Sequence, residues 1–509
     1  MTISSNKTIL KNTMMLYFRQ ILTLVVSLYT IRVVLDVLGV EDYGIYNVVG
    51  GIVMFFSFLK VSMASATQRF FSYAIGENDD EKLNKIFSVN LIIYLIIAIL
   101  SLLLLEIVGI WFVKYQLNVP ADRLSGAITI YHLSVVSFFF TIVSTPFNST
   151  ILAHEDMHLY AYMSIVEAVM KLVIVFLLVY LGGDKLILYG ELMLAISIIV
   201  CFLYGWISIK RYRECQLSKY YWDKILFKEI VGFTGWTLFG QFTTASRNQA
   251  VIVLLNQFFN PVVVAATVIA KNISTQIQLF SNNFNSSLYP PIIKSYAIKD
   301  LKNMYSLIYN GSKITFFLMW IFALPFLLEM ETILGLWLRE VPPGALLFTR
   351  LALVEVLINA ISMPLQTAAR APGRMKSYEL ILGAIQIGIF LVSWYLLTLG
   401  NPAYIVFVVA IVANLVMFLV RLIIVHSLVG LPVQAFLINV GAKVLGVVLI
   451  STLLSITIKF FLPKSIFYSI LVILFSALVV SISIYFFGFL NLSFASFGEK
   501  YASCNSTFQ

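Results

Sequence analysis

Stretches at 86–105, 192–209, 248–270, 380–420 and 465–498 contain no charged residue, and each is long enough for one or two helices of about 20 residues across a bilayer. Only 11% of the 509 residues are charged and 60% are hydrophobic, whereas a soluble domain carries about a quarter charged positions to clothe its surface. The mean hydropathy of +0.95 is sustained from end to end, with no Pro/Ser-rich linker to divide soluble domains. The main solvent of this chain is therefore a lipid bilayer.

Polar breaks between the apolar runs predict an all-α polytopic membrane protein of fourteen helices. They fall at 12–36, 43–63, 87–110, 126–152, 157–181, 186–208, 231–256, 262–290, 310–329, 346–369, 376–399, 402–425, 435–458 and 466–489. Residues 1–12, with Lys7 and Lys11, precede an apolar stretch too long for a signal peptide and read as the start of an uncleaved first helix. An even number of crossings puts both termini on one side. If that side is cytoplasmic, twenty of the 34 Lys and Arg residues lie inside. Six lie outside (Lys114, Arg123, Lys185, Arg339, Lys459 and Lys464), and the other eight fall within helices. This asymmetry predicts cytoplasmic termini, and it accounts for the net charge of +10 without nucleic acid.

An internal repeat organises the chain. Ser144, Pro146, Ala153, Met157 and Tyr160 recur as Ser362, Pro364, Ala371, Met375 and Tyr378 at a constant offset of 218. The string Ser72-Tyr73-Ala74-Ile75 recurs as Ser295-Tyr296-Ala297-Ile298 at an offset of 223. Two matches in the same order predict two parallel six-helix lobes, 1–210 and 211–430, related by an axis along the membrane normal. Residues 431–509 then form an added helix pair with a short cytoplasmic tail.

Polar side chains at depth need their own explanation, because a helix in lipid already satisfies its backbone. In the seventh expected helix Thr234, Thr237, Gln241, Thr244 and Asn248 share one face, with Arg247 beside it. The eighth carries Thr267, Lys271, Thr275, Gln278, Asn282 and Asn285, and the first carries Gln20, Thr23, Ser27 and Thr30, with Arg19 and Arg32 nearby. Uncharged members can bond between helices for about 1 kcal/mol or less. A cation at mid-helix costs about 2.5–3.5 kcal/mol, so Arg247 and Lys271 point to a wet cavity or a fixed partner. Arg32 with Asp36, and Glu167 with Lys171, are spaced for local ion pairs; Lys60 is placed to snorkel, and Arg350 and Glu355 to snorkel or pair with neighbours.

Catalytic and metal signatures are sparse. His154-Glu155-Asp156-Met157-His158 fits the bare zincin spacing. It falls in a turn rather than on a helix, lacks a third ligand nearby, and its repeat counterpart is a Pro-Gly turn, which argues against zinc. Cys201, Cys215 and Cys504 have neither disulfide nor metal spacing. With no phosphate-binding glycine loop and no nucleophile elbow, neither an enzyme nor a cofactor is expected.

The string Leu38-Gly39-Val40-Glu41-Asp42-Tyr43-Gly44-Ile45-Tyr46, with Ala66-Thr67-Gln68-Arg69-Phe70 and Gly76, resembles the opening of Wzx-type polysaccharide and O-antigen flippases. These belong to the multidrug/oligosaccharidyl-lipid/polysaccharide (MOP) exporter superfamily, and the fourteen-helix layout extends the resemblance over nearly the whole chain. The chain departs from many members, which carry a basic residue and a proline, at Asp36 and Val40. The resemblance implies translocation of an undecaprenyl-diphosphate-linked oligosaccharide across the bacterial cytoplasmic membrane by alternating access. Membrane lipids, and other polysaccharide-assembly membrane proteins, are the implied partners. Arg19, Arg32, Arg247 and Lys271 are then expected to hold the diphosphate, Gln241, Asn248, Gln278 and Asn282 to meet sugar hydroxyls, and Arg69 to receive the entering head group. The alternatives are a cation-coupled multidrug exporter of the same superfamily, which typically has twelve helices and an acidic cavity, and a polytopic polymerase or ligase, which needs a larger outer loop.

Overall fold

The computed structural model describes residues 6–115, 120, 122–216, 221–259, 261–338, 341–463 and 465–489; for 6–9, 28, 31, 32, 35, 40, 41, 261 and 487–489 it describes the backbone alone. Among the described residues the chain is helical, without strands. The helices are α1 (Asn6–Phe55), α2 (Ser57–Glu77), α3 (Asp80–Leu104), α4 (Ile110–Tyr115), α5 (Leu124–Ala153), α6 (Met157–Tyr180), α7 (Lys185–Arg211) and α8 (Lys224–Phe258). They continue with α9 (Pro261–Ala297), α10 (Leu301–Trp337), α11 (Ala345–Arg370), α12 (Lys376–Thr398), α13 (Ile405–Val429), α14 (Val433–Phe436), α15 (Lys443–Phe461) and α16 (Ile466–Ser483).

Among the described residues, eleven helical stretches are long and apolar enough to cross a membrane, and the bent pair Asp42–Phe55 and Ser57–Glu77 makes a twelfth. Two more long helical segments, the part of α1 before Gly39 and α8, carry the polar stripes and fall outside that apolar set. Together they match the fourteen helices expected from sequence. Boundaries move most in three places. The first two expected helices run on as α1, interrupted only at Gly39, whose left-handed φ of 79° suits glycine. The chain bends by 40° at Phe56, and the second span extends to Glu77, so Arg69 lies within a helix rather than beyond one. The ninth expected helix lengthens to Leu301–Trp337.

Irregular turns in the spans have identifiable causes. The α3–α4 helix widens into a π-helical turn at Leu105–Gly109, where Tyr131 donates to the Leu105 carbonyl at 2.5 Å. A Cβ at Gly109 would lie 1.9 Å from that phenol oxygen, so only glycine fits. Pro325 and a non-helical Glu329 kink α10, and Arg350 donates to the freed Leu327 carbonyl at 3.1 Å while Lys459 donates to that of Leu328. Lys459 also pairs with Glu329 at 3.0 Å.

The fold divides into two compact units. The first comprises Met1–Ser246, Ser286–Met304 and Thr367–Ala384, and the second Arg247–Asn285, Tyr305–Gln366 and Ile385–Gln509. In the first, Leu38, Ile45, Leu105, Ile130, Tyr131, Val175, Leu178 and Leu186 pack into one buried cluster drawn from α1, α5, α6, α7 and the π-helical turn at Leu105. Elsewhere large apolar side chains face outwards in rows, as at Leu95, Ile99 and Leu103 on α3 and Leu471, Leu474 and Leu478 on α16. Such rows suit lipid and would aggregate in water. The protein is a multi-pass membrane protein.

Candidate functional site

Within the second unit, charged and amide side chains from the long helices α8, α9, α11 and α13 gather together. Arg247 on α8 places Nη1 3.1 Å from Oε1 of Glu355 on α11, and its Nη2 donates to Asn248 Oδ1 at 2.9 Å. Lys271 on α9 reaches the Asn248 carbonyl at 3.3 Å, and Asn414 on α13 donates to the same Glu355 oxygen at 3.2 Å. The Arg247 and Glu355 side chains are 13% and 21% exposed, so the pair is largely withdrawn from solvent. Two cations surround one carboxylate, which leaves one net positive charge. Arg247 Nε is buried and has no partner. A cluster with surplus charge and a spare guanidinium donor can accept an anion of more than one oxygen.

Sequence spacing identified Arg247, Asn248 and Lys271, and the structure brings these three together. Gln278 and Asn282 lie on α9 beyond Lys271, half-buried and exposed respectively. Gln241, half-buried on α8, and Arg19 belong to the first unit, where the Arg19 guanidinium sits 4.7 Å from the Tyr160 ring centroid. The side chain of Arg32, and with it the expected pair to Asp36, lies outside the described residues. Glu167 and Lys171 do pair, at 2.7 Å on one helix, and so do not tie two helices together. Sequence spacing places Glu355 only to snorkel or pair with neighbours, and it does not single out Asn414. The signal for Asn414 is an amide inside the charge-free run 380–420, which also holds Gln386 and Asn401.

A second constellation lies in the first unit, at the helix ends and turns that carry the repeated strings. Arg69 is only 8% exposed and donates twice to the Ala371 carbonyl, at 2.8 and 3.3 Å. Its guanidinium also lies 4.6, 5.1 and 5.7 Å from the rings of Phe70, Tyr73 and Phe233. In the counterpart turn Lys294 pairs with Glu155 at 2.6 Å, both largely buried. Glu155 and Gly373, separated by the repeat offset of 218, both adopt left-handed φ, 63° and 81°. The strings ending at Ile75 and Ile298 are followed by the same turn. Asn78 and Lys299 are left-handed, and the next residues, Asp79 and Asp300, accept from the backbone N–H groups of Lys82 and Asn303.

The zincin-like spacing dissolves in the same turn. His154 contacts Glu214 at 2.5 Å, Glu155 is taken by Lys294, and Asp156 binds Arg211 and Tyr212. Among the described residues no three potential ligands are grouped to hold a metal.

A family model described as "Polysaccharide biosynthesis protein" matches residues 9–295. The chain belongs to that family. This polysaccharide biosynthesis protein is similar to the "Uncharacterized membrane protein EpsK" of Bacillus subtilis (strain 168), 25% identical over 159 residues. That match covers 31% of each chain, so it spans less than a third of the relative's length. Among solved structures it resembles an "outward-facing conformation of a multidrug resistance MATE family transporter of the MOP superfamily" with a TM-score of 0.73 at 14% identity. That likeness covers 83% of this chain and 96% of the other. A MOP superfamily transporter from Pyrococcus furiosus, whose binding pocket is described as reversed in polarity, aligns with a TM-score of 0.67 at 14% identity, over 84% and 96% of the two chains. The chain thus has a MATE-like fold.

Proposed function

We propose that the protein is a flippase carrying an undecaprenyl-diphosphate-linked oligosaccharide, an O-antigen, capsule or exopolysaccharide unit, from the inner to the outer leaflet of the bacterial cytoplasmic membrane. The observation that carries this reading is the net-positive cluster of Arg247, Lys271 and Glu355 within the long helices α8, α9 and α11, in a chain of the polysaccharide biosynthesis family. A diphosphate presents several anionic oxygens to a guanidinium that can bind two at once. A cationic drug would be repelled by the same charge balance. Glu355 acts as the resident anion: it keeps Arg247 paired while the site is empty and yields it when a diphosphate arrives, so that desolvation of an unpaired guanidinium is avoided at every stage.

In this reading the halves 1–210 and 211–430 alternate access, residues 431–509 are accessory, and the termini face the cytoplasm. On this reading the contacts of Arg69 with Ala371 and of Lys294 with Glu155 lie on the cytoplasmic side, and they part for the head group to enter. The lipid tail needs no polar site and stays in the bilayer. The test is a translocation assay with lipid-linked oligosaccharide in cells carrying Arg247→Ala and Lys271→Ala. Translocation should stop while membrane levels stay normal, and the lipid-linked unit should accumulate on the inner leaflet, where its mass gives the number and class of its sugar residues. Unimpaired transport would overturn the assignment.

A further inference from the structure

The seam between α1 and α6 in the first unit is polar where lipid-facing packing would be apolar. On α1, Thr23, Ser27 and Thr30 follow one face, and on α6, Ser164, Glu167 and Lys171 follow another; these six side chains line a single cavity of about 240 Å³. That is the volume of roughly eight water molecules, room for one pyranose ring and too little for an oligosaccharide. Val26 and Ala168 complete the wall with apolar surface, against which the C–H face of a sugar ring can rest.

The hydrogen-bonding capacity of the cavity is only partly used. Thr23 donates to the Arg19 carbonyl at 2.9 Å and Ser164 to that of Tyr160 at 3.0 Å, so both hydroxyl oxygens retain lone pairs that accept. Glu167 accepts from Lys171 at 2.7 Å through one carboxylate oxygen, leaving the other oxygen and two ammonium protons. Thr30 Oγ1 is buried with no partner. A buried hydroxyl without a partner costs free energy that a ligand can recover. Among the described residues, the charged groups lining the cavity are Glu167 and Lys171, which pair with each other; Lys60 on α2 does not line it but lies close enough to act on both. With its carboxylate and ammonium already paired, the cavity offers the alternating acceptors and donors that vicinal hydroxyls match.

We propose that the α1–α6 cavity is a subsite for one neutral pyranose ring, separate from the cationic cluster of the second unit. The inference rests on the flippase reading for its biological substrate, though the binding chemistry stands apart from it. Glu167 accepts from two adjacent sugar hydroxyls, Lys171 donates to a hydroxyl or ring oxygen, and Thr30 gains the partner it lacks.

Saturation-transfer NMR of the full chain in lipid nanodiscs tests this, with methyl glucoside, methyl galactoside and N-acetylglucosamine as neutral probes and glucuronate as a charged one. At least one neutral ring should receive saturation. Its affinity should fall about two- to tenfold, the loss of one hydrogen bond, in Thr30→Val and again in Ser164→Ala, which alter opposite helices by near-isosteric changes. Both variants should elute as monodisperse protein, and Arg247→Ala should leave the signal intact. No saturation of any neutral ring, an unchanged affinity in both folded variants, or a stronger signal from glucuronate would overturn the subsite. Undecaprenyl phosphate titrated into the same samples separates the two readings. Arg247-dependent lipid binding without sugar binding removes only the subsite, whereas sugar binding without lipid binding sustains the subsite and removes the flippase reading.

Discussion

Lys294 holds its ammonium 2.6 Å from the carboxylate of Glu155, in the tight turn where α5 gives way to α6. Arg69 does the corresponding work at the turn between α11 and α12, where it grips the Ala371 carbonyl. In both cases a cation from a helix end of one sequence repeat closes on the turn of the other. The helices that deliver the cations also approach closely: a Cβ at Gly76 would stand 2.9 Å from that of Ala297, and the equivalent rings of Tyr73 and Tyr296 lie 6.4 Å apart. The two strings that recur in the sequence are thus the segments that form this reciprocal clasp. That gives their recurrence a physical meaning beyond shared composition.

Breaking the Lys294–Glu155 pair should destabilise the protein strongly, because each partner would leave a largely buried charge without its counter-ion. Lys294→Met is expected to cost about 3–5 kcal/mol, read as a fall in unfolding temperature in detergent. Glu155 adds a second handle, since its left-handed backbone favours glycine. Glu155→Gly should be milder than Glu155→Ala by about 1 kcal/mol, although both lose the carboxylate. Equal unfolding temperatures for these two variants would show that the turn carries no strain.

At the counterpart turn the relation reverses, with a glycine making room for the cation. A Cβ on Gly373 would meet Arg69 Nη2 at 2.7 Å, and the φ of 81° disfavours any other residue. Gly373→Ala should therefore cost about 1–2 kcal/mol from backbone strain and about 1–3 kcal/mol more from displacing the guanidinium. In an Arg69→Ala background only the first part should remain. A double-mutant cycle by thermal unfolding measures the difference, and strictly additive effects would contradict the contact.

Much of this architecture was legible in the sequence because lipid imposes a simple rule on span length, and α5, α6, α7, α11 and α12 begin and end within a few residues of the expected positions. Arg247, Asn248 and Lys271 were legible because helical spacing puts polar residues on one face. Glu355 and Asn414 were not, since their part depends on which helices become neighbours, and no spacing within α11 or α13 encodes that. The turn at His154–His158 was misleading for the same reason. Its local order imitates a metal motif, while its actual partners, Glu214, Lys294, Arg211 and Tyr212, come from far along the chain.

Glu355 should compete with an anionic ligand for Arg247. Glu355→Gln keeps the side-chain shape and the oxygen facing Asn414 but removes the charge, and it is expected to tighten binding of undecaprenyl phosphate by about tenfold, or about 1.4 kcal/mol. Turnover should fall, because the released guanidinium no longer has a resident anion to return to. Arg247→Lys should bind more weakly than wild type, since an ammonium cannot offer two parallel donors. Nanodisc binding measurements decide the matter, and weaker binding by Glu355→Gln would rule out the competition.

On the opposite face from the clasp, Arg123 bridges Asp42 and Asp184, and its own proton affinity is raised by the Asp42 hydrogen bond. Asp184 caps α7, accepting from the Leu186 N–H at 3.0 Å. Partial burial works to raise its pKa, but the backbone N–H bonds and the Arg123 guanidinium outweigh it and hold the carboxyl below its usual value. A depressed carboxyl contributes stability that is complete above the ordinary value of about 3.9 and is lost as pH falls through the folded-state value. Asp184→Asn retains an acceptor for the helix cap, so it isolates the charge. The unfolding temperature of this variant should lie below wild type by a constant margin above about pH 5, and the margin should narrow as the medium is acidified through the carboxylate range. Added salt should shrink it as well, because Asp184 is about a third exposed at 33% and its field is open to screening. A margin that persists unchanged at low pH would mean that the cap, and not the charge on Arg123, is what Asp184 supplies.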